Sequence, residues 1–528
     1  MTTGTAPRAT TGQFALWTLI LAACVANLNL AVANVALPDI GLSLGATQVE
    51  LNMVAVGFTL GLASSVLYLG AIGDRYGRKR LLLIGLALSI PTSAIAAWAP
   101  DPAILVAGRL LGGVSAGMVY PVTLSIITAL YTGKQRVMAI ALWSGIGAGA
   151  SALGPAIVGW LITFAWWGAG FAMTIPLAAV AFLLCLRLPS HTGETTDSVD
   201  HIGGLLSVVM VGTLIAAITF APTPGAAPVA IGLAVIAVAC VIAFILRERS
   251  AANPIFDLHV ARRRIFWVAA IAGIIVFGSL MGALFIGQQF MQNVLGYDSL
   301  EAGLGIVPAA FTLIIMSPLA AQLIRRFGSR ITLMLGFTIV ILGFAGMYLW
   351  NEDSPYVLVG ATYAVLGAGV AFASAPASRA IMSSVPASNL GMGSATNDLQ
   401  RDFGGAIMQS VMGTLLVVQY SGAITAAVQS ATPQQQSDLS ASAITMMSQS
   451  FTGAQEVAKT LPGDGPTLLM AAAKTAFTEG SNLAYAFGLL AVVGGLLLVT
   501  FLYPRKEQEA KTLEEYAQAD QSQDVAPR

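Results

Sequence analysis

Hydrophobic residues dominate the chain in long blocks that are separated by short polar segments. Each block holds about 20 mostly apolar residues, the length that an α-helix needs to cross roughly 30 Å of hydrocarbon. We read fourteen blocks: 14–36, 52–72, 81–99, 103–130, 138–164, 167–187, 203–221, 227–246, 265–292, 302–324, 331–350, 356–384, 391–419 and 482–503. The pattern predicts an all-α polytopic membrane protein with fourteen transmembrane helices. An even number of spans places both termini on one side of the membrane.

The composition strengthens this prediction and excludes other classes. Of 528 residues, 56% are hydrophobic and 9% are charged, whereas a soluble chain carries about 25% charged residues. The net charge of zero gives no indication of a nucleic-acid partner. Cys24, Cys185 and Cys240 lie in separate apolar blocks, which argues against a disulfide framework or a clustered zinc site. We therefore expect no metal and no cofactor.

The histidines and glycines give no indication of an enzyme. The three histidines are scattered through loops without ligand spacing, and the chain has no nucleotide-binding loop. We expect neither a catalytic residue nor ATP-driven pumping.

The basic residues predict the orientation in the membrane. Of 25 lysines and arginines, only Lys459 and Lys474 fall on one side of the predicted spans and only Arg109 lies well within a span. Cytosolic loops carry an excess of Lys and Arg. We therefore predict cytosolic N- and C-termini in a plasma (inner) membrane protein.

Two segments are too polar to belong to the membrane. Residues 420–481 are rich in Ser, Ala, Gln and Thr and include weakly helical stretches, so we predict a long extracytoplasmic loop. Residues 504–528 form a polar, largely acidic tail, which we expect to be disordered.

The most specific string is GAIGDRYGRKR at 70–80, between spans 2 and 3. It predicts a tight turn at Gly77 with an acid before it and cations after it. Asp74 can face the positive N-terminal end of a helix in the other half, while Arg75 or Arg78 pairs with acids there. Such contacts would hold the cytosolic side closed. The alternative is that these charges only satisfy the positive-inside bias.

Arg109 begins the string RLLGGVSAG in span 4. An unpaired cation within the bilayer costs several kcal/mol, so an intramembrane arginine is a functional hypothesis by default. The alternative is an arginine that snorkels at a helix end.

Span 5 contains GIGAGASALGPAIVG at 145–159. Closely spaced glycines let a neighbouring helix approach, and a proline bends the helix. A pliant, tightly packed helix suits rocking between two states, although generic packing is an alternative. The residues of interest are Gly145, Gly149, Gly154, Pro155 and Gly159.

Asp398, Arg401 and Asp402 share one helix face early in the thirteenth span, at spacings i, i+3 and i+4. Within the membrane, Asp398 or Asp402 would be the candidate for a protonatable acid. At the interface, the three residues would form a cytosolic gate that pairs with the Asp74 loop, which is the interpretation that we favour.

Together these motifs resemble the major facilitator superfamily, specifically its fourteen-spanner drug:proton antiporter branch. The 70–80 string matches the superfamily's cytosolic loop signature, and the span 5 string resembles the motif that marks its antiporters. NVALP at 34–38 closes span 1 in the family's style, and RERSAANPIFDL at 247–258 resembles a loop of the fourteen-spanner branch.

The resemblance implies a fold of two six-helix bundles with two additional central helices. The implied segments are a cytosolic N-terminal tail 1–13, a first bundle 14–187, linker helices 203–246, a cytosolic loop 247–264, a second bundle 265–503 that includes the extracytoplasmic loop 420–481, and the cytosolic tail 504–528.

The resemblance also implies proton-coupled efflux of amphipathic drugs or toxic compounds by alternating access, with Arg109 taking part in coupling. The partners would be a small amphipathic substrate, protons and the lipid bilayer, and the protein would be a monomer. Its substrate site would lie near mid-membrane between the bundles. We expect its lining to include Asn29, Asn34, Gln288, Gln289 and Gln292.

Two departures from the family pattern leave alternatives open. Asn29 stands where the family usually has an acid, and asparagine cannot take up a proton near neutral pH. In the second-half counterpart of the Asp74 loop, Arg325 occupies the acid's place. The alternatives are an exporter of an endogenous lipid or metabolite, an uncoupled facilitator, and a non-transporting receptor or assembly factor.

Overall fold

The computed structural model describes residues 9–131, 133–188, 199–221, 225–251, 254–386, 390–432 and 439–525. Within these residues the chain is helical, with short connections. The helices are α1 (Ala9–Leu44), α2 (Gln48–Tyr76), α3 (Arg78–Ala97), α4 (Pro102–Leu130), α5 (Gly133–Ile162), α6 (Ala169–Ala172), α7 (Thr174–Leu186), α8 (His201–Phe220), α9 (Ala227–Ser250), α10 (Leu258–Ala261), α11 (Arg264–Asn293), α12 (Ser299–Phe327), α13 (Ser329–Tyr348), α14 (Tyr356–Ser383), α15 (Leu390–Ser430), α16 (Ala441–Gln449), α17 (Phe451–Ala458), α18 (Gly465–Leu502) and α19 (Lys506–Val525).

The helices agree with the predicted membrane spans. Among the described residues, thirteen stretches are long and apolar enough to cross a bilayer, with α6 and α7 counted as one broken span. Helix α5, some of whose side chains lie outside the description, is 30 residues long and crosses the same thickness. The chain is therefore an all-α polytopic membrane protein, and its helices are consistent with fourteen spans.

The segment expected to be a long loop, 420–481, is mostly helical. Helix α15 continues to Ser430 and α18 begins at Gly465, so both extend beyond the predicted spans, and α16 and α17 lie between them. Ser440 and Ser450 cap α16 and α17 by accepting hydrogen bonds from the backbone N–H groups of Ala443 and Gly453. Such caps and an Ala- and Gln-rich composition favour helix over loop. The prediction of a loop with weakly helical stretches therefore underestimated the helix propensity of this segment.

The tail that we expected to be disordered forms α19. Its Glu, Lys, Ala and Gln residues are good helix formers. The helix is also anchored, because Glu509 is buried against the bundle and Arg263 binds Asp520. Composition alone could not reveal these tertiary contacts.

The two ends of the bundle differ in charge. We call one end the basic face; it carries the turn at Gly77, the segment 254–263, the turn at Gly328 and α19. The opposite face carries the turn at Gly45 between α1 and α2, together with α16 and α17. Gly41, near the end of α1, packs against Thr452 of α17, which places α17 over this end of the first half.

The apolar core is divided differently at the two faces. Toward the basic face, α1, α2, α3, α4, α5 and α7 share a cluster of their own, around Leu19, Leu82 and Ile127. A second cluster runs through the whole second half, with Phe266 and Tyr503 among its members, and it includes first-half residues such as Leu37 only toward the opposite face. The two halves of the chain are therefore fused by apolar packing at the opposite face.

The two linker helices, α8 and α9, lie beside the seam between the halves. Helix α8 contacts α2, where Gly204 packs on the Tyr68 ring, and α15, where Thr219 Oγ1 donates to Ser410 Oγ at 3.1 Å. The apolar span of α9 is only 17% buried, as expected for a helix that faces lipid. The linker thus bridges both halves at one edge.

Candidate functional site

The turn at Gly77 has the geometry that the signature string predicted. Helix α2 ends at Tyr76, Gly77 adopts φ 110°, and α3 begins at Arg78. A positive φ of this kind favours glycine. The turn between α12 and α13 repeats the arrangement at Gly328, with φ 86°. Asp74 lies in the last turn of α2, and Arg75 is the last residue but one of this helix. The Asp74 side chain lies outside the described part of the structure.

Arg109 is buried in the first half, with 2% of its surface exposed. Its Nη1 donates to the carbonyl of Asn29 at 2.6 Å, and its Nε donates to the carbonyl of Val54 at 3.2 Å. Its Nη2 has no hydrogen-bond partner among the described residues. The arginine therefore ties α4 to α1 and α2 through main-chain oxygens.

Two aromatic rings complete the surroundings of Arg109. The guanidinium carbon lies 4.8 Å from the centroid of Phe58 and 5.5 Å from that of Phe171. Cation–π contacts of this kind contribute about 2 kcal/mol when they are desolvated. The snorkelling alternative does not fit this enclosed position.

Asn29 extends the network from Arg109 into α3 and α7. Its Nδ2 donates to Thr174 Oγ1 at 3.1 Å and to Ser93 Oγ at 3.3 Å, and Thr174 Oγ1 donates to Ser93 Oγ at 2.9 Å. A cavity of about 10 Å³ borders Asn29, Phe58 and Ser115, which is the size of about one water molecule. Position 29, where the family usually has an acid, thus belongs to a network of hydrogen bonds between neutral side chains.

The second buried polar group is formed by Asp398, Arg401 and Asp402 on α15. Arg401 Nε donates to Asp402 Oδ1 at 3.1 Å. Asp398 and Asp402 are 7% and 3% exposed. Oδ2 of each has no hydrogen-bond partner among the described residues, so the two carboxylates retain unused acceptors in a buried position.

Arg401 also reaches across to the first half of the chain. Its Nη1 donates to Tyr120 Oη at 2.8 Å, and its guanidinium carbon lies 4.4 Å from the Tyr120 ring centroid. Arg401 lies 11 residues, about 16 Å, from the start of α15, and Tyr120 lies ten residues, about 15 Å, from the end of α4. The contact is therefore set back from the basic face, inside both helices.

At the opposite face, glutamines join the halves. Gln48 Nε2 of α2 donates to Gln289 Oε1 of α11 at 2.7 Å, and Gln292 Nε2 donates to the carbonyl of Val35 at 3.0 Å. Gln288 is buried and donates to the carbonyl of Ala302 at 3.0 Å. Gln289 and Gln292 are therefore committed to the seam between the halves, whereas Gln288 bonds within the second half beside it.

The glycine-rich helix α5 lies at the same seam. A Cβ on Gly159 would stand 2.2 Å from the carbonyl oxygen of Ser299, and one on Gly303 would stand 2.6 Å from that of Pro155. Helices α5 and α12 therefore touch through their backbones. Gly154 and Pro155 are buried, while the surroundings of Gly145 and Gly149 lie outside the description.

The five residues expected to line a substrate site fall into two separate groups. Asn29 belongs to the Arg109 network, and Gln288, Gln289 and Gln292 belong to the opposite-face seam. Asn34 is half-buried on α1, and its Oδ1 has no partner among the described residues. In the state that the structure describes, the glutamines close an end rather than line an open cavity.

Several residues at these sites carried no signal in the sequence. Gln48, Phe58, Phe171 and Thr174 are ordinary residues of apolar or polar helix surfaces, and only the fold brings them to the glutamine seam or to Arg109. Tyr120 could have been singled out, because it lies only three residues after the span 4 string.

The structure has many apolar helices in two halves, two buried polar groups and a seam that is closed at one end. These features define a multi-spanning membrane transporter. The Major Facilitator Superfamily model matches residues 19–409. The chain belongs to the major facilitator superfamily. It is a transporter of small molecules and not an enzyme.

Curated relatives share about 30% of their sequence with the chain. It is 31% identical over 410 residues to the multidrug resistance protein Stp of Mycobacterium tuberculosis, with 77% of this chain and 76% of Stp covered. It is 29% identical to the multidrug efflux pump LfrA of Mycolicibacterium smegmatis, with 80% and 82% covered.

Solved structures show the same fold at low identity. A bacterial homologue of the human lysosomal transporter Spinster, in an inward-facing and unoccupied conformation, has a TM-score of 0.64 at 14% identity, with 97% of this chain and 99% of that chain covered. The nucleoside transporter NupG has a TM-score of 0.60 at 12% identity, with 93% and 100% covered.

Proposed function

We propose that the protein is a proton-coupled exporter of amphipathic drugs or toxic compounds, which acts as a monomer in the plasma membrane. The basic face is cytosolic and includes both termini. Residues 14–187 and 265–503 are the two bundles that rock against each other, and the linker 203–246 bridges them. The names of Stp and LfrA support drug efflux as the activity.

The observation that carries the proposal is the buried charge of the α15 cluster. Asp398, Arg401 and Asp402 carry formal charges that sum to minus one, and each carboxylate keeps an oxygen without a hydrogen-bond partner among the described residues. A buried, uncompensated charge is costly. The cluster is therefore a favourable place to take up one proton or to attract one cationic substrate.

This charge provides a physical route to antiport. A proton or a substrate cation neutralises the same cluster, so each lowers the affinity for the other. Binding on the cytosolic side releases the proton, and a proton that arrives from outside displaces the substrate. Both interpretations of the α15 motif hold in this proposal. Asp398 and Asp402 are the protonatable acids, and they are also part of the gate.

The other predicted residues have supporting roles in this mechanism. We propose that Arg109 holds α1, α2 and α4 together, so that the first bundle moves as one body. Asp74, Arg75 and Arg78 would stabilise the cytosolically closed state. Gly145, Gly149, Gly154, Pro155 and Gly159 would let α5 pack closely on α12. Asn29, Asn34, Gln288, Gln289 and Gln292 would border the pathway as the seam opens.

The described state corresponds to closure on the outside. The first-half members of the large apolar cluster, the Gln48–Gln289 bond and the α5–α12 contact all lie toward the opposite face. The Spinster homologue that shares the fold is inward-facing. Opening to the outside would need these contacts to separate while the bundles close at the cytosolic face.

The proposal is tested by dye transport in proteoliposomes with an imposed pH gradient, using one cationic and one neutral amphipathic dye. We expect gradient-driven transport by the wild type and a loss of at least about tenfold in Asp398→Asn, because the amide cannot take up a proton. Asp353→Asn, in the exposed turn before α14, is the matched control and should behave as the wild type. Gradient-driven transport at the wild-type rate by Asp398→Asn would contradict the proposal.

A further inference from the structure

The tail helix α19 begins directly on the turn between α12 and α13. Lys506 Nζ donates to the carbonyls of Arg325 at 3.0 Å and of Arg326 at 3.1 Å, the last residues but two and but one of α12. One turn later, Glu509 Oε1 accepts hydrogen bonds from Ser329 Oγ at 2.7 Å and from Tyr503 Oη at 3.0 Å. Ser329 is the first residue of α13.

These two contacts complement the electrostatics of both helices at the turn. The C-terminal end of a helix presents free carbonyls and attracts a cation, whereas the N-terminal end presents free N–H groups and attracts an anion. Lys506 supplies the cation for α12, and Glu509 supplies the anion for α13. Glu509 is 7% exposed, so water screens its charge little.

The tail packs on the turn itself. A Cβ on Gly328 would stand 2.9 Å from the Cβ of Lys506. The burial of Tyr503, which is 1% exposed, fixes the approach of the tail from α18. Lys506 and Tyr503 thus bring the tail close to the turn, and Glu509, one turn after Lys506, is buried.

The first-half turn explains what the tail contributes. Aligned on the two glycines with positive φ, Asp74 corresponds to Arg325 and Gly77 corresponds to Gly328. The first turn carries its acid within its own string, one residue before Arg75. The second turn has a cation at that position and lacks an acid of its own. Glu509, 184 residues farther along than Arg325, brings a carboxylate to the second turn.

The far end of α19 is attached as well. Both terminal nitrogens of Arg263 bind Asp520, and Nη1 also donates to the carbonyl of Ser384 at 2.7 Å. The guanidinium carbon lies 4.8 Å from the Tyr516 ring centroid. The tail thus crosses from the α12–α13 turn to the ends of α11 and α14.

We propose that Glu509 supplies the carboxylate that the second signature turn lacks, and that α19 is a working part of the second bundle. Glu509 is a positioning residue: it holds the start of α13 against α18, so that the basic ends of the second bundle move as one body during transport. The consequence for transport rests on the proposed function, but the consequence for stability does not.

The test is a double-mutant cycle on the contact between Glu509 and Ser329. Glu509→Ala and Glu509→Gln should each lower the initial rate of gradient-driven dye transport by roughly fivefold, in line with a buried charge at a helix end. Ser329→Ala removes the hydroxyl that donates to Glu509 and should also lower the rate. Adding it to Glu509→Ala should lower the rate little further, because both changes break the same contact. Glu514→Ala removes an exposed acid from the same helix and should leave the rate unchanged.

Thermal unfolding of the same purified variants separates this inference from the proposed function. We expect a lower unfolding midpoint in Glu509→Ala and in Ser329→Ala, and a loss in the double variant that is smaller than the sum of the two. If the wild type transports no dye, the proposed function fails and the midpoints still decide the role of Glu509. The inference is overturned if Glu509→Ala and Glu509→Gln match the wild type in midpoint, or if Glu509→Ala and Ser329→Ala lower the midpoint additively.

Discussion

Arg401 of α15 and Tyr120 of α4 join the two halves of the protein, with Nη1 of the arginine 2.8 Å from the tyrosine hydroxyl and its guanidinium over the ring. The same arginine binds Asp402. A change in the charge of the carboxylates therefore acts on a side chain that reaches the other bundle. This relationship connects the charge of the cluster to the position of the bundles.

Removing the Tyr120 hydroxyl should weaken this link without removing the ring. A hydrogen bond from a charged donor to a neutral acceptor contributes about 1.5–3 kcal/mol. Tyr120→Phe should therefore shift the balance between the outside-closed and outside-open states by at least about tenfold. Because the contact belongs to the state that is closed on the outside, we expect slower labelling of cysteines introduced along the cytosolic half of α4 and slower transport. Tyr356→Phe removes a hydroxyl that bonds Glu301 within the second half, and should change neither.

Arg109 should tolerate no replacement that loses its planar fork. Lysine cannot reach two main-chain carbonyls on different helices and stack between two rings at once. We expect Arg109→Lys and Arg109→Ala to lower the transport rate by at least about tenfold. Arg109→Ala also leaves the carbonyls of Asn29 and Val54 without a donor, which costs about 1–3 kcal/mol of stability for each carbonyl. Transport by either variant at the wild-type rate, at equal protein levels, would refute the role given to Arg109.

Gly159 should be needed for closure at the outer face. Its replacement by alanine forces the added Cβ against the backbone of Ser299, which cannot give way as a side chain can. We expect Gly159→Ala to separate α5 from α12, to increase labelling of the outer end of α12 from outside, and to slow transport several-fold. Gly212→Ala and Gly494→Ala are controls in membrane helices, because a Cβ at either position meets nothing within 4 Å.

Asp200 should stabilise the linker in a pH-dependent way. Burial alone would raise the pKa of Asp200, but the hydrogen bonds from Arg247 Nε and from the backbone of Gly203 outweigh burial and lower it. Because the folded-state pKa lies below the unfolded one, the stabilisation is present above the unfolded value of about 3.9 and is lost as the pH falls through the folded value. Asp200→Asn should therefore lower the unfolding midpoint at neutral pH, and the difference from wild type should shrink below about pH 4. Glu352→Gln, an exposed loop change, should show no such difference.

The spans and the turn at Gly77 could be predicted because both depend on local properties of the chain. A run of about 20 apolar residues has few stable places other than a bilayer, and a glycine between two charged helix ends indicates a tight turn. The family could be predicted for the same reason, since its motifs are continuous strings.

The partners of the site residues could not be predicted, because they come from distant parts of the chain. Tyr120 and Arg401 are 281 residues apart, and Gln48 and Gln289 are 241 apart. The helical tail was missed for a similar reason: a polar, acidic sequence indicates disorder unless a partner such as Ser329 or Arg263 is known. The segment 441–458 was underestimated because its serine caps were not considered.

The central claim is that a proton and a substrate compete for the cluster of Asp398, Arg401 and Asp402. The direct measurement is proton release from purified, weakly buffered protein when a cationic dye is added. We predict release by the wild type, in proportion to the dye bound, and none by Asp398→Asn at saturating dye. Dye binding by the wild type without proton release, or equal release by Asp398→Asn, would contradict the claim.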